Sequence, residues 1–417
     1  MTSWSRRDWI GGCSAGVGFP WLRALSAPPG RRPRLAAIVT SYTWLSHADV
    51  ILGRLLDGST PNGVRRAPRT TVVSLYRDQV TQRDMGQEIA GRHGIRLAPT
   101  VEDALTLGRG RLAVDGVVFI GEHGDYPTNA LGQKLCPRAE LFGRIAAVYR
   151  ASGWAVPTFF DKHLSYDWAR AREIWHAVGE LEIPFLAGSS VPVTVRRPVL
   201  EIPLGIPVTE AVVTGYGEVE AYGFHALEAL QCMVERRRGG ETGVRSVELL
   251  RGDQVWAWRN GPGRWAEPLL TAALARHPKV TEGRLEDIVK DPAAFLVEYR
   301  DGLRAVLFSL NGLVVGHGFA ARGPDRAEPW STFFVEGGPP YAPEEGGDRP
   351  LPNFDGLAFT IEELMLSKRA PWPMERTALT TGILAHLFRS LERGGPVDTP
   401  ELAISYQPAR RPFFQTR

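Results

Sequence analysis

Residues 155–168 read AVPTFFDKHLSYDW, an apolar run that stops at Asp161-Lys162-His163 before a helical pattern begins. A short, continuously apolar run bounded by polar residues is how a strand covered on both faces is written. The lysine at its end is then either a solvated loop residue or a group placed on the edge where ligands of parallel sheets bind. Its neighbours in the chain decide between these.

Runs of the same kind recur on both sides. LAAIV (35–39) leads into HADVILGRLLDG (47–58), apolar at helical spacing with Gly58 after its last turn. TTVVSLY (70–76) leads into QRDMGQEIAGRHG, then IRLAP and the helix VEDALTLG, and VDGVVFIG (114–121) leads into a helix near 137–153. After the quoted strand, the helix 166–182 leads into PFLAGS. Buried strands alternating with helices predict a doubly wound parallel sheet over residues 33–190.

From 191 to 417 the texture changes. EAVVTGYG, VRSVELLRGDQVWAWR, FLVEYRDGLRAVLFSLNG and HGFAARG alternate apolar and polar residues around Gly, Asn-Gly and Asp-Gly turns. This predicts a mostly antiparallel sheet with one solvated face. One amphipathic helix, FHALEALQCMVERRRGG, interrupts it, and after a Pro/Gly-rich acidic loop a helical pair, TIEELMLSKR and TALTTGILAHLFRSLERGG, closes the chain. The fold class expected is α/β plus α+β: a Rossmann-type sheet domain followed by a mostly antiparallel one.

The first 26 residues are read apart from the fold. Arg6 and Arg7 precede a moderately apolar stretch and a small-residue pattern at Ala24-Leu25-Ser26, which is a twin-arginine export signal and implies a periplasmic or other extracytoplasmic address. Removing residues 1–26 takes away a net two positive charges and turns the formal +3 into +1, which points to neither nucleic acid nor an anionic membrane. Cys136 and Cys232 would remain in an oxidising compartment, and folding without a disulfide framework is expected.

In order, these segments resemble the Gfo/Idh/MocA family of sugar and polyol oxidoreductases over nearly all of the mature chain. DKHLS stands where the family has Glu-Lys-Pro, so Lys162 matches its lysine. Ala221-Tyr222-Gly223-Phe224-His225 stands where it has Asp-x-Gly-x-His; the Gly and His match and the Asp does not. The resemblance implies NAD or NADP bound by residues 33–190. It further implies a substrate and oligomerisation domain in 191–417, an open sheet face that pairs subunits into a homodimer or homotetramer, and a small carbohydrate-like substrate. It makes Lys162 the group that polarises substrate oxygen and His225 the base, with Asp161 and Tyr222 beside them.

The match departs at the cofactor. After the first strand a dinucleotide fold usually places Gly-x-Gly-x-x-Gly, whereas residues 39–48 read VTSYTWLSHA. Thr40, Ser41, Tyr42 and Thr43 are left to bind the diphosphate with hydroxyls and amides. Arg77, after the second strand, is either a 2′-phosphate ligand that would favour NADP or a solvated arginine. Glu122 and His123, ending the next strand, complete the expected cofactor set with Lys162. The scattered His and carboxylates match no compact metal motif, and Trp256, Trp258 and Trp265 are either a sugar platform or core. Two other readings stay open: a glycosidase that oxidises its sugar transiently, and a non-catalytic or metal-dependent carbohydrate binder on the same scaffold.

Overall fold

A computed structural model describes residues 31–324, 326–336, 351–411 and 413–415. The export signal of residues 1–26 lies outside them, as does most of the acidic loop. No described helix is long and apolar enough to cross a membrane.

The buried runs form six parallel strands: β1 (Arg34–Val39), β2 (Thr71–Arg77), β3 (Arg96–Leu97), β4 (Gly116–Ile120), β5 (Thr158–Asp161) and β6 (Phe185–Gly188). Their order is β3-β2-β1-β4-β5-β6, so the direction of winding reverses between β1 and β4. Val39, the last residue of β1, pairs with Arg77 on one side and Ile120 on the other. Side chains leaving the ends of β1, β4 and β5 therefore meet at the switch point, where ligands of open α/β sheets bind.

The crossovers are α1 (His47–Asp57), α2 (Gly86–His93), α3 (Val101–Thr106), α4 (Arg138–Ser152) and α5 (Trp168–Glu180). Their starts are set by local chemistry. Ser46 accepts from the Asp49 amide at 3.3 Å, Thr100 from Asp103 at 3.0 Å and Asp167 from Arg170 at 3.0 Å, each satisfying an amide the helix leaves open.

The second sheet contains β7 (Val195–Arg197), β8 (Glu210–Gly215), β9 (Val244–Arg251), β10 (Ala293–Tyr299), β11 (Arg304–Ser309), β12 (His317–Arg322), β13 (Trp330–Val335) and β14 (Val397–Asp398). Its order is β14-β9-β10-β11-β8-β12-β13-β7, antiparallel except for the β11–β8 pair. The helix α6 (Ala221–Val234) packs on one face, joining Ala211, Val213, Phe295 and Leu307 in one core.

Two expectations are corrected here. DQVWAWRN is not the end of a strand but the helix α7 (Asp253–Asn260), because the turn at Gly252, with φ +57°, ends β9 one residue after Arg251. With α8 (Glu267–Leu274) and α9 (Leu285–Ile288) it covers the face expected to be solvated, burying Val212, Val306, Phe308 and Ala320 in a core of their own. The alternation in the strands thus records two different cores. Trp256, Trp258 and Trp265 pack partly buried against this second core, with the Arg304 guanidinium 4.4 Å above Trp265.

The C-terminal helices return to the first sheet. In α10 (Asn353–Ser367), Leu357, Ile361 and Leu364 share a core with Val39, Ile51 and Val118, and Asp355 meets buried Arg54 at 3.0 Å. α11 (Met374–Arg393) wedges between the sheets. Its Thr377 donates to the Ala187 carbonyl at 2.8 Å, and its Thr381 accepts from the Leu164 amide at 3.1 Å, fixing the chain just after Lys162-His163. Buried Arg376 reaches Glu228 of α6 at 3.3 Å. Glu228 lies one helical turn beyond His225, so this contact fixes the rotation that aims His225.

Candidate active site

Lys162 is no surface lysine: it is 3% exposed. Its φ of +65° puts a residue with a Cβ in the left-handed region, at a cost of about 1–3 kcal/mol that surrounding structure must offset. Its amide donates to the Gly188 carbonyl at 2.9 Å, which ties the turn to β6. The turn sends the ammonium to Glu122, 2.6 Å away at the end of β4, and to the Ala221 carbonyl, 3.3 Å away at the start of α6. One lysine thus bridges both sheets.

Glu122 is also held by Arg138 of α4 at 2.7 Å. Burial would raise its carboxyl, but Lys162 and Arg138 outweigh that and hold it well below the usual carboxylate range. Arg138 continues to His163 Nε2 at 2.9 Å, and that imidazole lies 3.0 Å from Glu220, just before α6. Burial would raise Glu220 too, but His163 and Arg138 hold it low, while burial and Arg138 keep His163 below its ordinary value.

A second group meets beside the lysine. His47, the first residue of α1, places Nδ1 2.6 Å from Asp161, and its amide donates to Nδ1 of His123 at 3.3 Å. His225 of α6 approaches from the other sheet, its ring centroid 6.4 Å from His47 and 6.5 Å from His317. Burial, then Lys162 and His47, push His225 well below an ordinary imidazole; burial and His47 push His123 down to about 3. These rings are neutral at pH 7, so each keeps a ring nitrogen able to accept a hydrogen bond or a proton, and the Lys162 ammonium weakens His225 as a base. Tyr222, 36% exposed, rests its ring 6.0 Å from His225.

Asp161 Oδ1, Arg138 Nε, His163 Nδ1, His225 Nδ1 and His317 Nε2 are buried without a hydrogen-bond partner among the described residues. Such groups are costly unless satisfied, so their concentration here marks a place built for a polar ligand or water. Beside them a cavity of about 750 Å³ opens, lined from the first sheet by Glu122, His123 and Lys134 and from the second by Glu218, Ala221 and Asn311. That volume suits a small-molecule ligand. Among the described residues no set of three His, Cys, Asp or Glu is arranged to hold a metal ion. Cys136 and Cys232 are both buried free thiols.

The structure thus brings Glu122, His123, Asp161, Lys162, Tyr222 and His225 together. It does not bring the first-turn residues to them as an open cradle. Thr40 and Tyr42 are fully buried, because the Thr40 amide extends the β1–β4 ladder to the Ile120 carbonyl at 3.1 Å and Tyr42 belongs to the core that also holds Val39, Ile51 and Ile89. The turn uses its own amides: Thr43 N donates to Ser46 Oγ at 3.2 Å, Leu45 N to Asp49 at 3.0 Å, and His47 N to His123. Arg77 is partly buried and paired with Asp84. Sequence reading passed over His47, Arg138, His317 and Glu336. For His47 a signal existed, a histidine directly after an N-cap serine at the switch point; the others are joined to the site only by tertiary folding.

No family model matches the sequence, and no curated protein matches it. Solved structures do. The chain is similar to scyllo-inositol dehydrogenase from Lactobacillus casei with NAD(H) and scyllo-inositol bound: TM-score 0.54, 10% identity, covering 88% of this chain and 99% of that one. It is similar to myo-inositol 2-dehydrogenase from Lactobacillus plantarum, with TM-score 0.52, 10% identity, 88% of this chain and 99% of that one. It is also similar to GenD2 from gentamicin A biosynthesis in complex with NAD, with TM-score 0.52, 15% identity, 90% of this chain and 98% of that one. At such identities the likeness establishes the fold: a Rossmann-type parallel sheet followed by a mostly antiparallel mixed sheet, in the arrangement of these dehydrogenases.

Proposed function

We propose that the protein is an oxidoreductase of the Gfo/Idh/MocA type, acting on a sugar, polyol or related hydroxy compound with NAD or NADP. The observation that carries this is the meeting of Lys162 and His225, from opposite sheets, beside a polar cavity at the switch point. The similar structures with NAD bound support it. The reactive end of a nicotinamide dinucleotide would meet the polar groups of Glu122, His123 and Lys162, a carboxylate that accepts, an imidazole and an ammonium that donates. The diphosphate end lacks the usual amide cradle, so hydroxyls such as that of Ser41, or cations at the cavity such as Lys134, would hold it instead.

Bound there, the nicotinamide would supply a hydride acceptor. The chain's own residues do the rest. The Lys162 ammonium, held by Glu122, donates to the substrate oxygen; His225, neutral, receives the hydroxyl proton; Asp161 orients His47 at the base of the cleft. The test uses NAD⁺ and NADP⁺ with a panel of inositols, aldoses and their glycosides, reading reduced nicotinamide. Reduction that His225→Ala slows by at least a hundredfold is the expected result. A panel without any turnover, redox or hydrolytic, would count against it.

A second reading is favoured by the self-satisfied first turn: a carbohydrate binder that holds no dinucleotide. It predicts saturable sugar binding with no nucleotide dependence. A glycosidase using transient oxidation needs the same lysine and histidine and would appear in the panel as hydrolysis without net reduction. Division into residues 33–190 and 191–417 remains part of this proposal, with α10 and α11 covering the first sheet as well. The subunit pairing implied by the resemblance would have to use a surface other than the sheet face that α7 to α9 cover.

Export belongs to the proposal too, resting on Arg6-Arg7 and the small-residue pattern at Ser26. Replacing both arginines by lysine should leave the precursor in the cytoplasm; normal export of that variant would remove the extracytoplasmic assignment.

A further inference from the structure

An oxidation in this cleft produces a proton with nowhere obvious to go. As the carbinol C–H bond gives its electron pair and hydrogen to the nicotinamide, the O–H bond breaks, C=O forms, and one proton passes to His225. Yet Lys162 is 3% and His225 8% exposed, and the groups facing His225, namely Lys162, His47, Glu122, His317, Tyr222 and Phe224, close around it.

We propose that His317 and Glu336 carry this proton out, as a relay that begins at His225. The inference rests on the oxidoreductase reading above. His317 opens β12 and pairs across the sheet with Phe334, which brings Glu336, just beyond β13, beside it. Its Nδ1 meets the Glu336 carboxylate, so that nitrogen carries the hydrogen and Nε2 is the free acceptor. Nε2 is buried, as is Nδ1 of His225; neither has a partner among the described residues, and the two rings are 6.5 Å apart between centroids. Two buried, unpartnered imidazole nitrogens at that spacing suit one bridging water, which needs two to four polar partners.

The packing leaves room beside this nitrogen only because residue 215 is a glycine. Gly215 lies against it: a Cβ there would sit 3.1 Å from His317 Nε2 and 3.9 Å from the Ala226 Cβ of α6. The far end of the relay reaches the edge of the protein, since the His317 side chain is 0% exposed and that of Glu336 12%. Tyr216, its ring 5.8 Å from His317, keeps its hydroxyl proton because burial and Glu336 both raise it, so it does not short-circuit the path. The acid that the resemblance places four residues before the histidine is Ala221 here; a carboxylate on another strand, acting through a second imidazole, takes over the task of that missing group.

The test is nitrogen NMR of the full chain with ¹⁵N-labelled histidine, comparing wild type with Glu336→Gln. The relay predicts His317 as the Nδ1–H tautomer, and predicts that Glu336→Gln shifts the ring nitrogens of both His317 and His225. With any substrate the panel yields, kcat should fall about 10- to 100-fold at unchanged KM, with a larger solvent deuterium isotope effect. Should Glu336→Gln not fold, Glu336→Asp, which keeps the charge at shorter reach, makes the same comparison. His225 signals that stay in place, or His317 as the Nε2–H tautomer, would overturn the relay. Failure of the oxidoreductase reading looks different: His225 and His317 remain coupled in the spectra while no nicotinamide is reduced.

Discussion

Lys162→Met should lower turnover on the order of 10² to 10⁴-fold, the loss typical of a positioned acid or base. It should also cost stability, which a loop lysine would not. The ammonium lies 2.6 Å from a carboxylate in a closed site, and removing one partner of a buried pair typically costs about 3–5 kcal/mol by stranding the other. Arg138 still holds Glu122 at 2.7 Å, so roughly 2–3 kcal/mol is expected. Turnover and thermal midpoint measured on the same variant separate the two effects, because a protein that stays folded after a stability loss of this size should not lose turnover on the order of a hundredfold unless the ammonium takes part in the chemistry. Near-wild-type turnover in Lys162→Met would reduce the lysine to a strut between the sheets.

The second large effect is on acid stability. His123 has its pKa lowered from 6.5 to about 3 in the folded protein, burial and His47 being the main causes, and His163 and His225 move the same way. Above pH 6.5 neither the folded nor the unfolded state protonates these rings, and they contribute no pH dependence. As pH falls below 6.5 the unfolded chain takes up protons that the folded one refuses, so stability declines, and for His123 the decline continues to about pH 3. For His123 this amounts to roughly 2–3 kcal/mol between pH 6.5 and 4.5, and His163 and His225 add losses of the same sign. Below 4.5 the depressed carboxylates of Glu122 and Glu220 add a second loss of the same sign. Denaturant titrations should therefore show weakening that begins near pH 6.5. His123→Asn, whose amide oxygen can still accept from the His47 backbone, should recover part of the first window. A wild-type profile flat from pH 7 to 5 would contradict the buried, neutral histidines.

Much of this was legible in the sequence, for physical reasons. Strands buried on both faces announce themselves as LAAIV or VVFI, and helices begin at Ser46, Thr100 and Asp167, which cap them. Lys162 was legible because it ends such a strand. Other features were hidden. The strand WSTFFV carries β-forming residues but directly precedes a Pro/Gly-rich acidic stretch that obscures it, and VWAWR alternates like a strand although Gly252 has already ended β9. Alternation reports that two sides of a strand differ; it does not say whether the second side meets water or, as here, α7 and α8. Among the site histidines, His225 was legible only through the resemblance, and His47 and His317 were missed, because the three are far apart in the chain and meet only when α1, α6 and β12 converge. The first turn was legible as lacking glycine; that its amides are taken up by Ser46, Asp49 and His123 emerged only in three dimensions.

The central claim, that this cleft serves a nicotinamide cofactor, is tested most directly by mass spectrometry of the small molecules released when protein purified from the cytoplasm is denatured. The account predicts NAD or NADP in the supernatant or, if the cofactor is lost in purification, a rise in the thermal midpoint when either nucleotide is added, since a ligand bound only by the folded state stabilises it. No released nucleotide, together with an unchanged midpoint at millimolar concentrations of both, would contradict it.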